Sequence, residues 1–329
     1  MHSINLNSIN IHSDLIIESN MDLKKDSYEE NNIQVDYIKL DDNNILKKRS
    51  GDYITINFID ITDETNYNNV LKILDKELKK ILKLSHIKKK DKGLIIGLGN
   101  HKSTPDSLGY EVLKNIIITR HLDELDVLDN KYRSISILEP NVIGNTGIDS
   151  YEVITGIISK VKPDFIIAID SLATVSTEKL EKTIQITNTG IDPGSGIGNN
   201  RHEISSNTLG IPVIAIGVPT VISSSVIVKD TIDFLIKKIS YHKNNYSKDK
   251  LVSKYNIKYQ KQEDNLSNFE KEKLLGIVGT LSDKELMDLI YEVLNPIGYN
   301  FIVSTKEIDF TIELLGKLIG TSLNHILHK

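Results

Sequence analysis

Two aspartates follow apolar segments of the chain, at positions where carboxyl groups often do chemistry. Asp170 directly follows the run FIIAI that begins at Phe165, and Asp106 lies shortly after the run GLIIGLG that begins at Gly93. In an open parallel sheet, ligands bind beyond the carboxyl ends of the strands, so both side chains are expected at one edge. Two converging carboxyl groups favour a state with one proton between them, which can activate a water and protonate a leaving amine. The pattern therefore predicts Asp106 and Asp170 as a catalytic pair.

Asp106 also has a structural explanation. Thr104 is a good helix N-cap, Pro105 suits the first helical position, and the helix dipole favours an acid in the first turn. Asp170 is harder to explain in this way, because an acid at a buried strand end is costly to ionise without a partner. Both roles therefore stay open for Asp106 on this evidence alone.

The segment 183–220 is rich in Gly, Pro, Asn, Ser and Thr and ends in a pure apolar run. A loop of this length and composition is typical of a functional site rather than of a core element. Together with residues that follow the predicted strands, it supplies candidates for a substrate or oxyanion loop. These candidates are Asn100, Thr104, Gly144, Thr146, Gly194, Ser195 and Gly196.

Other chemistries have weaker support. The segment GSGIG (194–198) resembles a phosphate-binding loop, but it does not directly follow a strand and carries no Walker Lys-Ser/Thr pair. Ser195 lacks the Gly-x-Ser-x-Gly pattern of a nucleophile elbow because Pro193 occupies the first position. His101 and His202 lie in suitable loops and could bind a metal ion with the two aspartates, although isolated loop histidines are more often exposed or hydrogen-bonded. The metal site is an alternative to the carboxyl pair.

Apolar runs and helical patterns alternate through the first two thirds of the chain. Strands are predicted at YITINFI, GLIIGLG, FIIAID and PVIAIGV, with SISILEP as a fifth. Apolar residues at helical spacing precede the second run, follow it, and recur over 151–161. This alternation predicts an α/β fold with a mostly parallel sheet sandwiched by helices. Residues 21–44 are polar and are expected to be loose.

The C-terminal third has a different composition. Residues 237–273 are polar and Lys/Asn/Asp-rich, which predicts an exposed excursion. Residues 281–329 are predicted to be helical, with capping boxes at Ser282 with Glu285 and at Ser304 with Glu307.

Composition excludes several classes of protein. The 329 residues are 39% hydrophobic, enough for a large core, and the net charge of −5 gives no basic surface for direct nucleic-acid binding. The absence of cysteine excludes disulfides, thiolate catalysis and Cys-based zinc sites. No apolar run approaches the about 20 residues of a membrane span, and the N-terminus lacks the order of a signal peptide. We therefore expect a cytoplasmic protein without a membrane partner.

Six segments together resemble the germination proteases (spore proteases) of endospore-forming bacteria. They are GLGN…TPDSLG, VIGNTGID, KPDFIIAIDSLA, TIQITNTGIDPGSGIGNNR, TLGIPVIAIGVPT and EVLNPIGYN…TKEIDFTIELLGKLI, and they cover nearly the whole chain in order. The resemblance implies an endopeptidase that initiates degradation of small acid-soluble, DNA-binding spore proteins during germination. It implies an atypical aspartic-type enzyme without a cofactor, cutting after an acidic residue and before an apolar one. The two proposed catalytic aspartates of the family match Asp106 and Asp170.

The resemblance also implies an architecture and a maturation route. The fold would be like that of the hydrogenase-maturation endopeptidases, a phosphorylase/hydrolase-like α/β sandwich, assembled as a homotetramer in the spore core. Family members are zymogens that cleave themselves autocatalytically, and the segment HSDLIIES (12–19) matches the cleavage junction of the family. Residues 1–14 would then be a propeptide cut between Asp14 and Leu15, and residues 15–329 a single peptidase domain.

Four positions depart from the family pattern. Ser171 replaces an Ala, Val175 stands where an Arg is usual, Asn188 stands where an Asp is expected, and Ser223 begins a stretch that usually contains an Asp. These changes fit compensating pair losses, altered specificity or weakened activity. Two alternatives remain. One is a metal-dependent peptidase that uses the two aspartates with His101 or His202, and the other, which the changes at Ser171, Val175 and Ser223 support, is a degenerate member that binds spore proteins without cutting them.

Overall fold

The structure is a computed structural model that describes residues 13–19, 24–42, 44, 48–194, 202–244, 264–294 and 301–328. It divides into two compact units. Among the described residues, the larger unit lies within 13–221 and 304–328, and the smaller unit lies within 222–303. All residues of the candidate site belong to the larger unit.

The described residues form nine strands and ten α-helices. The strands are β1 (Lys25–Glu30), β2 (Ile33–Leu40), β3 (Gly51–Asn57), β4 (Gly93–Gly97), β5 (Ile135–Leu138), β6 (Phe165–Thr174), β7 (Thr183–Thr187), β8 (Val213–Ser223) and β9 (Ile302–Val303). The helices are α1 (Glu64–Leu84), α2 (Leu108–Leu113), α3 (Arg120–Glu124), α4 (Ile143–Thr146), α5 (Ser150–Val161), α6 (Ser206–Leu209), α7 (Ser224–Asn244), α8 (Asn268–Leu275), α9 (Asp283–Leu294) and α10 (Ile308–Leu327). No helix in the described part of the chain is long and apolar enough to cross a membrane.

The sheet is mixed, with the strand order β1-β2-β3-β7-β8-β6-β4-β5. β4 pairs parallel to both β5 and β6. The pairs β1–β2, β2–β3, β3–β7 and β7–β8 are antiparallel. The prediction of a mostly parallel sheet therefore applies only to the β6-β4-β5 side, because the other side contains a hairpin and strands whose direction alternates.

Helices cover both faces of the sheet, as the sandwich prediction requires. On one face, α1, α2 and α10 pack on alternate strand residues such as Ile95, Ile167 and Ile169. On the other face, the intervening residues Ile96 and Ala168 pack with Ile154 of α5. This double burial explains why the central strands are continuous apolar runs, since both sets of alternating side chains lie in a core.

Two polar regions are more ordered than the sequence suggested. Residues 25–40 form the antiparallel hairpin β1–β2, so the prediction that residues 21–44 are loose is wrong for this part. The hairpin turns at Asn31 and Asn32, which have φ of 54° and 61°, as a two-residue turn of the type favoured by hairpins requires. Within the segment predicted as a loop, TIQIT is the fully buried strand β7.

The smaller unit contains α7, α8, α9 and β9. Ile222 and Ser223, the last residues of β8, pair antiparallel with β9. The predicted capping box at Ser282 and Glu285 is confirmed, since the two residues exchange hydrogen bonds at the start of α9. In the larger unit, α10 begins only at Ile308 and has no side-chain cap, so the second predicted capping box is wrong. Of the predicted polar excursion, residues 237–244 and 268–273 are helical, and 245–263 lie outside the described residues.

Candidate active site

Asp170 and the loop that carries Asp106 lie at the same edge of the sheet. Gly97, the last residue of β4, pairs with Ile169 of β6, and the next N–H, that of Leu98, donates to the Ile169 carbonyl at 2.8 Å. The loop therefore leaves β4 directly beside Asp170, which is buried with 5% of its surface exposed. One Asp170 oxygen accepts a hydrogen bond from the Ser171 N–H at 2.9 Å.

Asp106 ends a short 3-10 turn, Thr104–Asp106, that folds back onto the strand. The Asn100 N–H donates to the Asp106 carbonyl at 2.9 Å, and the buried Thr220 hydroxyl donates to the Pro105 carbonyl at 2.6 Å. The second bond ties the turn to β8. The turn is thus fixed to the loop that follows β4 and to β8, and Asp106 is held in place through its main chain.

Glycines allow the turn to approach the strand. A β-carbon on Gly97 would lie 2.6 Å from the Gly109 carbonyl oxygen, and one on Gly109 would lie 2.4 Å from the Leu98 carbonyl oxygen. Gly99 has φ of +96°, and a β-carbon there would lie 2.8 Å from Oδ1 of Asp106. These close contacts between backbones are possible only without side chains. They bring the Asp106 carboxyl group next to the end of β4.

Two of the predicted loops meet at this edge. Asn145 of α4 donates from Nδ2 to Oδ1 of Asn100 and of Asn141, both at 2.8 Å. The predicted GNTG turn is the short helix α4, which contains Gly144 and Thr146 and ends at Gly147 with φ of +74°. Thr104 begins the 3-10 turn, and its carbonyl accepts hydrogen bonds from Ser107.

The Gly-rich loop is closed at its base. Ile191 and Ile204 exchange two backbone hydrogen bonds of 2.9 Å. Arg49 donates to the Thr189 carbonyl at 3.0 Å and forms ion pairs with Asp192 and Glu203. Gly194 has φ of +75° in this loop. Ser195 and Gly196 lie outside the described residues.

The two candidate histidines contact other acids. Nδ1 of His101 lies 2.5 Å from Glu139, and His202 stacks on Tyr151 with its Nδ1 3.8 Å from Asp149. Across the ranges that the structure describes, no three His, Asp or Glu side chains are grouped to hold a metal ion. The alternative metal site therefore gains no support from these contacts.

Residues 13–19 dock against the end of β6 and the middle of β7. The Asp14 N–H donates to the Ala173 carbonyl at 3.2 Å, and the Ala173 N–H donates to Oδ2 of Asp14 at 2.9 Å. Leu15 and Ile16 are each 2% exposed. Ala173 follows Asp170 by three residues on β6, roughly 10 Å along an extended strand. The predicted junction therefore lies on the strand that carries Asp170.

Glu18 fixes the end of the same segment. Its carboxylate accepts hydrogen bonds from the Thr174 hydroxyl at 2.6 Å and from the Val175 N–H at 3.0 Å, and Lys179 lies 3.6 Å away. The hydroxyl of Ser13 accepts from the Leu15 N–H at 3.0 Å and donates to the Glu18 carboxylate. Residues on both sides of Asp14–Leu15 are thus held in a defined conformation.

A cavity of about 320 Å³ lies beside the docked segment. Asp14, Ile16, Arg49, Leu172 and Gln185 contribute to its walls. Leu172 and Asp170 are two residues apart on β6 and therefore face the same side of the sheet. Tyr53 also lines the cavity, and burial raises the pKa of its hydroxyl, although the Thr189 hydrogen bond and the Arg49 charge oppose the shift.

Sequence reasoning missed several residues of this site. Gln185, Ala173, Glu18 and Arg49 contact either the N-terminal segment or the base of the Gly-rich loop. The strict Thr-Ile-Gln-Ile-Thr alternation around Gln185 is typical of a strand and could have placed its side chain on a face of the sheet. Nothing in the local sequence indicates its partner, which lies 171 residues away.

One departure from the family pattern has a physical explanation. Asn188 accepts a hydrogen bond from the Asp52 N–H at 2.8 Å and donates one to the Asp52 carboxylate at 2.9 Å. An Asp at this position would lose the donor and face a second carboxylate. Ser223 accepts from the Ser225 N–H at the start of α7. The Ser171 hydroxyl is buried and has no hydrogen-bond partner among the described residues, and nothing in the structure explains its presence.

Comparison with known proteins defines the chain as a peptidase. A family model described as germination protease matches residues 10–329. The chain belongs to the germination protease family. It is 39% identical to the germination protease of Bacillus thuringiensis subsp. konkukian over 99% of this chain and 95% of the relative. It is 42% identical to the germination protease of Bacillus cereus (strain ATCC 10987) over 91% of this chain and 85% of the relative. It is 43% identical to that of Bacillus anthracis over 86% of this chain and 80% of the relative.

Proposed function

We propose that the chain is the self-processing zymogen of an aspartic-type endopeptidase that cuts after an acidic residue and before an apolar one. The docked N-terminal segment is the observation that carries this proposal. An acid followed by apolar residues, Asp14-Leu15-Ile16, is bound along the strand that presents Asp170, and the Asp14 carboxylate accepts a backbone N–H. The segment therefore has the composition of a substrate and places its acid on the strand of Asp170, with Leu15 extended and Ile16–Glu18 in a 3-10 turn.

Asp106 and Asp170 are the proposed catalytic groups. The ionised member of the pair takes a proton from water, whose oxygen bonds to the carbonyl carbon of the Asp14 residue. The protonated member donates a hydrogen bond to the carbonyl oxygen as negative charge develops there and then, as the C–N bond breaks, gives its proton to the Leu15 nitrogen. The products are a carboxylate at Asp14 and an amine at Leu15. Backbone N–H groups of α4 or of the Gly194 loop are proposed to stabilise the negative oxygen.

The biological substrates are proposed to be the small acid-soluble proteins that coat spore DNA. This assignment rests on membership of the germination protease family and on the acid-before-apolar junction. The hydrogenase-maturation-endopeptidase-like architecture, the homotetramer and the location in the spore core are proposed on the same ground. The net charge of −5 is consistent with an enzyme that acts on DNA-bound proteins without binding DNA itself.

Incubation of the purified full-length chain at about pH 5 to 7, followed by intact mass, tests the proposal. We expect loss of an N-terminal piece that ends at Asp14. Asp106→Asn and Asp170→Asn should each slow this loss by about 10²–10⁴-fold. Asp126→Asn, an exposed acid whose φ of 57° suits Asn, is the matched control and should process normally.

Three results would contradict parts of the proposal. Unchanged processing in either catalytic variant would exclude the carboxyl pair. Processing that stops in a chelator and returns with a divalent metal would favour the metal-dependent alternative. An unchanged mass of the wild-type chain, with a small acid-soluble spore protein also uncut, would favour a protein that binds without cutting.

A further inference from the structure

Gln185 makes both of its amide hydrogen bonds to the N-terminal segment. It lies in the middle of β7 and is 7% exposed. Its Nε2 donates to the Asp14 carbonyl oxygen at 3.2 Å, and its Oε1 accepts from the Ile16 N–H at 2.7 Å. A carbonyl only accepts and a backbone N–H only donates, so these partners fix the orientation of the amide.

The two bonds lie on either side of Leu15, on successive peptide groups. The carbonyl that Gln185 contacts belongs to that peptide bond, and the Ile16 N–H belongs to the next one. A primary amide carries a donor and an acceptor at fixed spacing, so it recognises the backbone of two successive peptide groups rather than a side chain. This contact is independent of the residue at position 15.

Neighbouring side chains on the same face of β7 make different contacts. The Thr183 hydroxyl donates to Asn57 on the adjacent strand β3, and the Thr187 hydroxyl pairs with Thr189. These bonds lie within the sheet and its connecting loop. Gln185 alone of the three alternating side chains in this strand bonds to the N-terminal segment.

Asp14 is held from two directions. Its N–H and its carboxylate bond to Ala173 at the end of β6, and its carbonyl faces Gln185. With its N–H, its carboxylate and its carbonyl oxygen each hydrogen-bonded, Asp14 is held in one position on β6 and β7. A shift by one residue would take the Asp14 carboxylate away from the Ala173 N–H.

We propose that Gln185 is a positioning residue that holds the peptide group to be cut in place, in self-processing and in cleavage of protein substrates. This inference rests on the proposed function, because it treats Asp14–Leu15 as the bond that is cut. Gln185 neither gains nor loses a proton in the reaction. Its Nε2 donates to the Asp14 carbonyl oxygen, which becomes negative when water adds, so this hydrogen bond should stabilise the transition state more than the bound substrate.

The first experiment compares self-processing of full-length wild type, Gln185→Met and Thr183→Val. Met keeps the length of the side chain without a hydrogen bond, and Thr183→Val removes a hydroxyl on the same strand and face. We expect Gln185→Met to process with a first-order rate constant about 10²-fold lower, and Thr183→Val to process within about threefold of wild type. Processing of Gln185→Met at the wild-type rate would overturn the inference.

The second experiment leaves Gln185 intact and removes the Ile16 N–H that donates to it. Wild-type protein that has processed itself is assayed with a peptide of residues 9–19, and with the same peptide methylated at the amide nitrogen of Ile16 or of Ile17. We expect methylation at Ile16 to lower kcat/KM about tenfold and methylation at Ile17 to have a smaller effect. Equal losses at the two positions would overturn the inference, even if Gln185→Met does not fold.

The two experiments together separate a positioning role from a structural one. In processed Gln185→Met, methylation of the peptide at Ile16 should not lower kcat/KM further, because the variant already lacks the acceptor for the Ile16 N–H. An unchanged tenfold cost would show that Gln185 acts only on stability. If wild type cuts neither itself nor the peptide, the proposed function fails, whereas wild-type cleavage without sensitivity at Ile16 rejects only the role of Gln185.

Discussion

Gly99 and Asp106 are in direct contact, and the contact requires glycine. A β-carbon on Gly99 would lie 2.2 Å from the Asp106 carbonyl oxygen and 2.8 Å from its Oδ1, and the φ of Gly99 is +96°. The backbone oxygen is fixed by the hydrogen bond from Asn100, so it cannot move aside without breaking that bond. The position of the Asp106 carboxyl group therefore depends on the absence of a side chain at residue 99.

Replacement of Gly99 by Ala should reduce both stability and processing. Backbone strain and overpacking together should cost at least about 2 kcal/mol of unfolding free energy. A displacement of Asp106 by about 1 Å should slow self-cleavage by about 10²-fold. Thermal unfolding and intact mass measure the two effects. Gly156→Ala in α5 is the control, because nothing lies within 4 Å of its β-carbon position.

The Asp14 carboxylate should contribute directly to processing. Its hydrogen bond from the Ala173 N–H is charge-assisted and is worth about 1.5–3 kcal/mol. Asp14→Ala should therefore slow release of the first fourteen residues by about 10–10²-fold, and Asp14→Glu should retain more of the rate because it keeps the charge. Time courses of intact mass check both variants. Equal rates for Ala and Glu would show that the acid is not recognised.

Asn188→Asp should destabilise the larger unit. The change removes the donor to the Asp52 carboxylate and places a second carboxylate beside it, at a cost of about 1–3 kcal/mol near neutral pH. Protonation of the new carboxyl group would restore the donor, so the loss should shrink as the pH falls. Thermal midpoints at several pH values test this, with Asn188→Ala as the variant that loses the hydrogen bonds without adding charge. An equal, pH-independent loss in both variants would exclude the charge effect.

His328 should make stability depend on pH below neutrality. Its ring is buried, and burial lowers the pKa, with a further decrease from the Arg133 charge and an opposing effect of the Ile117 carbonyl. Because the carbonyl can only accept, Nε2 carries the proton of the neutral ring, at 3.1 Å from the Ile117 oxygen. The unfolded chain thus binds a proton at higher pH than the folded one, so stability is full above pH of about 6.5 and falls as the pH drops below it.

The measurement compares the thermal midpoint of wild type and His328→Gln from about pH 7.5 to 5.5. The wild-type midpoint should fall with pH more steeply than that of His328→Gln. The exposed His121, changed to Gln, should leave the wild-type slope unchanged. A His328→Gln slope as steep as that of wild type would assign the effect to other groups.

The sequence alone was sufficient for the central strands and for the sheet edge at which Asp170 and the loop of Asp106 lie. Runs such as FIIAI are continuous because both faces of β6 are buried, and their shortness and β-branched content favour a strand over a buried helix. The β1–β2 hairpin was missed because its outer strand is mostly exposed and polar. Its turn, Asn31-Asn32, was the signal available, since Asn tolerates positive φ better than most residues.

Contacts between distant segments could not be predicted. Gln185 and Asp14 are 171 residues apart, and their hydrogen bond depends on the docking of the N-terminal segment on two strands. The resemblance to a family supplied the junction, but not the residues that hold it. Likewise, the hydrogen bond from the Thr220 hydroxyl to the Pro105 carbonyl could not be predicted, because neither residue has a local sequence pattern that indicates its partner.

Because Gly109 packs against the main chain at the end of β4, a substitution at this position cannot be compensated by a second substitution elsewhere. The three atoms nearest to a β-carbon at this position are the Leu98 oxygen, the Leu98 nitrogen and the Gly97 carbonyl carbon, at 2.4, 2.6 and 2.7 Å. All three are main-chain atoms, so no smaller neighbouring residue can make room. A selection for second-site suppressors of Gly109→Ala should therefore return only revertants at residue 109, whereas ordinary core substitutions can be rescued by repacking of adjacent side chains.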